Sequence, residues 1–271
     1  MASGFFIYKG HMTSSNQRPH QYTYDPQSYI LKVKRFHQTN YDSVDKALRH
    51  ANQQLRKSIA SSSDAELTNT RLYSMLLSVW CEARLHVLLY EDGAFDEVQR
   101  AVIYNSDSVE LRWKKALHVA VIKNAGLDID AEISDKNTSF SLLNIFKKIN
   151  ELIGEYFSSV IRNRNKIAHA QWVTPFTNLQ GVWENSSSFS VCETTKTDFQ
   201  TDNLLTLDLK VKLLKSISVA INNIAVDSNN YQVQNFDDLY KTIRTHEDRI
   251  SSIDFPNFKS TIQRSFQDNR A

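Results

Sequence analysis

Apolar residues recur at helical spacing along most of this chain, and polar breaks between those stretches mark the elements. After Asp42, the residues Val44, Leu48, Ala51, Leu55 and Ile59 form a narrow apolar stripe that ends at Ser61-Ser62-Ser63, which predicts a first helix capped by Asp42. From Leu67 to Tyr90 apolar side chains fall on nearly every side, as in a helix at the centre of a bundle. Glu82, Arg84 and His86 are the polar positions within it and need partners. Glu91-Asp92-Gly93 ends that helix, a second pattern runs from Val109 to Lys123, and Asn124-Ala125-Gly126 stops it. A long amphipathic stretch then starts near Ser141, carries Leu142, Ile145, Phe146, Ile149, Leu152, Ile153, Tyr156, Phe157, Val160 and Ile161, and runs directly into a polar, basic segment ending at His169. After Trp172, short β-like pieces at Val182-Trp183 and Phe189 to Cys192 predict a small hairpin or irregular insertion. Helical stripes return from Leu207 to Ala225 and, more weakly, from Phe236 to Ile253.

These elements predict an all-α fold, a bundle of four to six helices in one domain over residues 41 to 226. An N-terminal arm (12 to 40), rich in Gln, Asn, Ser and Tyr with Pro19 and Pro26, precedes it. A C-terminal helix and a fraying polar tail (227 to 271) follow. Composition agrees: six Gly and four Pro in 271 residues exclude a turn-dense all-β fold and a glycine-rich phosphate loop. Residues 1 to 11, with Gly10-His11-Met12 at the junction, read as vector sequence and do not resemble a signal peptide. Cys81 and Cys192 lack C-x-x-C spacing or obvious basic neighbours, which predicts neither a disulfide framework, a structural zinc nor a nucleophile, and a reducing cytoplasm is the expected setting. No uninterrupted apolar run reaches membrane-spanning length, so no membrane association is expected.

Thirty-two Lys and Arg against thirty Asp and Glu leave a net charge of +2, so affinity for a polyanion must come from a local cluster. One exists. Between Lys147 and Lys166 lie five basic residues, Lys147, Lys148, Arg162, Arg164 and Lys166, against Glu151 and Glu155, and His169 follows. Arginine matches phosphate oxygens with a planar fork, asparagine donates an amide N–H, and histidine takes and gives a proton near neutral pH. Those are the parts needed to cleave RNA without metal or cofactor, because the 2′-hydroxyl is an internal nucleophile. One histidine is a thin supply, and a two-fold dimer that faces two copies across one cleft would double it.

The run Arg164-Asn165-Lys166-Ile167-Ala168-His169 resembles the Arg-Asn-x-x-x-His signature of the HEPN domain. Requiring Asn after Arg lowers the chance expectation of such a match to roughly a few per cent, whereas the looser Arg-to-His spacing is also met by Arg112 and His118. The resemblance implies a HEPN-like helical bundle acting as a homodimeric, metal-independent endoribonuclease in a toxin, toxin-antitoxin or antiviral defence role, with an antitoxin or regulatory protein as a further partner. It implies that Arg164 holds the scissile phosphate, Asn165 positions it and His169 transfers a proton. The alternative is a non-catalytic module that binds RNA, a nucleotide or a protein. In one branch of the family a Tyr two residues after the His is modified; Gln171 stands here.

On an unbroken helix Arg164 and His169 are about 140° apart, whereas Arg162 and His169 nearly eclipse, so Arg162 is a rival that Arg164 beats only if the helix breaks near the motif. Glu82 is a candidate to orient Arg164 or His169, against an internal salt bridge that ties helices together. Lys166, Lys147, Lys148 and Trp172 are candidate RNA contacts, with Trp183 as a second stacking ring and Lys32, Lys34 and Arg35 as a basic stretch in the arm. His86 reads as a core histidine and His118 as a surface or interface one, and His50 and His246 lack a second ligand, so no metal site is expected.

Overall fold

The structure, a computed structural model, describes residues 26 to 178, 189 to 226 and 233 to 268. In chain order these form α1 (Pro26–Ser58), α2 (Ser63–Leu89), α3 (Glu97–Tyr104), α4 (Val109–Asn124) and α5 (Phe140–Leu152), a π-helical turn (Ile153–Phe157), and α6 (Ser158–Ala168). An antiparallel pair, β1 (Phe176–Asn178) and β2 (Phe189–Val191), sets Phe176 opposite Val191. Then come α7 (Glu193–Thr201), α8 (Leu204–Val226), α9 (Val233–Ser251) and α10 (Phe255–Asp268). Among the described residues the fold is all-helical apart from this short antiparallel pair. More helices are present among the described residues than the four to six expected, because short α3 and α7 and the terminal helices add to the long rods of the bundle. Residues 1 to 11 and Trp183 lie outside the described residues.

The first helix departs most from its expected bounds. It begins at Pro26, so residues 26 to 40 are helix rather than arm, and Asp42 is an internal position rather than a cap. Proline fits a first turn, where its missing N–H has no partner to lose. The apolar stripe continues upstream of Val44 through Tyr41, His37, Val33 and Ile30, all partly buried. Polar residues on the outer face bond along the helix, Gln38 to Asp42 at 2.8 Å and the Thr39 hydroxyl to the Arg35 carbonyl at 2.9 Å. Lys34 pairs with Asp92 at 2.7 Å, and Lys32 sits 5.8 Å from the Phe36 ring. The polar tail is likewise a helix. In α10, Phe255, Phe258, Ile262 and Phe266 face the core, Lys259 pairs with Glu66 at 2.5 Å and Gln263 donates to the Ile59 carbonyl at 3.2 Å.

By length and composition alone α2 would span a bilayer; here it is the central rod, packed against α1, α6 and α8. Its Trp80 and Leu85 are fully buried, as are Trp113 of α4 and Phe157 of the π turn. Both indoles are satisfied, Trp113 by the Cys81 carbonyl and Trp80 by Asp45, each at 3.2 Å. Arg84 reaches Glu91 at 3.8 Å and Ser218 of α8 at 3.4 Å.

The π turn sets the direction of everything after it. One extra residue in a turn shifts the phase of the following helix by about 100°. The shift seats the Phe157 ring 4.8 Å from that of Trp113. It also brings Gly154 against α4, where a Cβ would meet Lys114 Nζ at 3.6 Å. The basic face of α6 is thereby turned toward the start of α4.

Candidate active site at the end of α6

α6 stops in a Schellman turn. His169 is the C-cap, Ala170 takes φ +62°, the Ala170 N–H donates to the Ile167 carbonyl at 3.1 Å and the Gln171 N–H to the Lys166 carbonyl at 2.9 Å. A side chain in the left-handed region costs about 1 kcal/mol. The turn is held from both sides. Buried Gln171 accepts the Phe176 N–H at 2.9 Å, which ties β1 to the helix end. Buried Arg71 of α2 donates to the Trp172 carbonyl at 2.9 Å and the Phe199 carbonyl at 3.1 Å, with its guanidinium 4.0 Å over the Phe199 ring. His169 is left exposed at the tip.

Arg162, Asn165, Lys166 and His169 stand at i, i+3, i+4 and i+7 and line one open cleft of about 650 Å³. Its far wall is Ser108 and Glu110 from the start of α4, and Phe176 and Thr177 of β1 close one end. Arg162 donates Nη2 to Asp198 of α7 at 3.0 Å, and Lys166 donates to the Phe176 carbonyl. Behind them the buried Asn163 amide sits among the Ser159 carbonyl, Asp198 and Asp202, and Asp202 pairs with Lys210 at 2.6 Å. A helix C-terminus offers carbonyls, which repel anions, so any phosphate here depends on these two cations.

Glu110 is the residue that sequence reasoning missed. Burial alone would raise its carboxyl; the hydrogen bond from Lys114, at 2.6 Å, with the charges of Lys114 and Arg162, outweighs that and holds it below the usual carboxylate range. Cys192 also differs from expectation. Burial opposes ionisation of its thiol, yet the Thr195 hydroxyl 3.3 Å away and N–H, helped by Lys166 and Arg162, bring it below the usual thiol range. Cys81 is core, and burial pushes its thiol up.

Arg164 is not in this cleft. α6 remains regular through the motif, and the one change of register lies upstream in the π turn, so Arg164 points toward α2, with Nη2 3.9 Å from Glu82. Glu82 thus meets Arg164, as one reading expected, but outside the cleft. Lys147 and Lys148 lie well up the rod, seventeen residues or about 25 Å from Asn165 for Lys148. Lys148 pairs with Glu247 at 3.4 Å and Glu151 at 3.5 Å. Trp172 is half-buried and engaged through its carbonyl. Arg112 and His118 do not form a second site: Arg112 donates to the Ser106 carbonyl at 3.1 Å, while the His118 ring meets Phe146 at 6.3 Å. The His86 ring lies tilted against those of His37 at 4.8 Å and Tyr104 at 5.9 Å, a half-buried aromatic cluster in which burial pulls both imidazoles below their usual range.

In comparisons with family models, curated proteins and solved structures, nothing matches this chain.

Proposed function

We propose that the chain is a metal-independent endoribonuclease of HEPN type that cuts single-stranded RNA at the α6 cleft, with Arg162 rather than Arg164 as the phosphate-binding arginine. The observation that carries this reading is the shared face: a guanidinium, an amide, an ammonium and an exposed imidazole converge on one cleft large enough for a nucleotide. Arg162 and Lys166 offset the charge that grows on the phosphoryl oxygens, Asn165 orients the phosphate, and His169 exchanges the proton. The resemblance supports the reaction class through Asn165 and His169, whose positions match its signature, and with it a toxin or defence role. The test is incubation of the purified chain with single-stranded RNA in excess EDTA, beside His169→Ala. Cleavage by the first and none by the second is the expected result; equal cleavage by both refutes it.

One observation favours a second reading, a non-catalytic RNA-binding module. Arg164, the arginine of the family signature, is turned to Glu82, and Arg162 and Lys166 already hold internal partners. Under that reading the purified chain retards RNA on a gel and leaves it intact.

A further inference from the structure

We infer that Glu110 is the general base that works with His169, so that one chain carries a complete acid–base pair and needs no second copy to react. The inference rests on the ribonuclease reading above. The resemblance and the single histidine pointed to a composite site between two chains. The fold instead brings to the same cleft a carboxylate from the first turn of α4, fifty-nine residues upstream of His169.

Three features fit a base better than a brace. A site meant only to grip phosphate would not place a carboxylate opposite its cations, because the two anions repel. Glu110 is held as the anion by Lys114 at 2.6 Å, with the charge of Arg162 adding to it, so the carboxylate stands ionised and ion-paired at the cleft wall. Its side chain is still 27% exposed and opens onto the cleft.

The step balances without any co-reactant. Glu110 takes the 2′-hydroxyl proton as the O2′–P bond forms, His169 as imidazolium gives its proton to the leaving O5′ as the P–O5′ bond breaks, and a cyclic 2′,3′-phosphate and a 5′-hydroxyl result. Solvent then returns one proton to His169 and removes one from Glu110.

The experiment is a pH–rate profile of Glu110→Gln and Glu110→Asp on a fluorogenic single-stranded RNA, with circular dichroism to verify folding. General-base loss predicts a fall in kcat of at least a hundredfold for Glu110→Gln, with KM little changed and the acid limb of the profile gone, and partial rescue with the limb restored in Glu110→Asp. Glu110→Gln and His169→Ala chains are then mixed, and no activity should return. A Glu110→Gln enzyme within threefold of wild type, or one that keeps its acid limb, overturns the inference while an inactive His169→Ala leaves the ribonuclease reading standing. Activity restored on mixing overturns the one-chain site. If the wild type does not cut RNA at all, the ribonuclease reading fails first, and this inference with it.

Discussion

Replacing Arg162 and Arg164 separately by Ala distinguishes the arginine the fold selects from the one the signature selects. Loss of one preorganised donor facing transition-state charge costs about 2.7–4 kcal/mol, a hundredfold to a thousandfold in kcat. Arg162 is 34% exposed and shares its charge with Asp198 at 3.0 Å, which places Arg162→Ala at the lower end, about a hundredfold. Removing it also leaves Asp198 short of a partner, a stability cost of about 1 kcal/mol. Arg164→Ala breaks a pair at 3.9 Å whose side chains are 33% and 38% exposed. Such pairs contribute about 0–1 kcal/mol, so a small drop in Tm and activity within about threefold are expected. The assay is kcat/KM on a quenched-fluorophore RNA, with thermal melts of each variant. A hundredfold loss in Arg164→Ala with near-wild-type Arg162→Ala would refute the role of Arg162 as the phosphate-binding arginine.

Other perturbations reach the parts around the cleft. Ala170→Gly relieves the left-handed strain at φ +62° and should raise stability by about 0.5 kcal/mol, since the roughly 1 kcal/mol relieved exceeds the added entropy of a glycine in the unfolded chain; a lower melting temperature contradicts it. His37, His86, His118 and His246 all have pKa values lowered in the fold, chiefly by burial. The unfolded chain therefore binds their protons first, and stability should hold above about pH 6.5 and decline as pH falls toward the folded values. Denaturant midpoints from pH 8 to pH 5 check this, and His37→Asn with His86→Asn should flatten the decline. Cys192, partly exposed and with an acidified thiol, should be alkylated by iodoacetamide in the native state while buried Cys81 is spared until the chain unfolds; mass spectrometry of peptides reads the outcome.

Much of the bundle was legible because its rods carry long, regular stripes: α2, α4 and α8 fall within a few residues of the pattern. Both ends were not. Gln, Asn and two prolines masked a stripe at Ile30, Val33 and His37, and in α10 buried Ile262 and partly buried Phe255, Phe258 and Phe266 are separated by polar residues, of which Ser260 and Thr261 donate to backbone carbonyls one turn back. Within the site, the i, i+7 relation of Arg162 and His169 followed from helical geometry, whereas preference for Arg164 required a break that regular α6 lacks. The π turn left no trace in the hydrophobic pattern. Glu110 could not be found from spacing, because only the packing of α4 against the turn and α6 brings it to the cleft.

On the proposed reading, the α6 cleft cleaves RNA with His169. The most direct measurement is the end-group analysis of a defined single-stranded RNA incubated in EDTA with the wild-type chain and with His169→Ala. Fragments ending in 2′,3′-cyclic phosphate from the wild type, and intact RNA with a folded His169→Ala, are the predicted result. Intact RNA with both chains, or the same fragments from both, contradicts it.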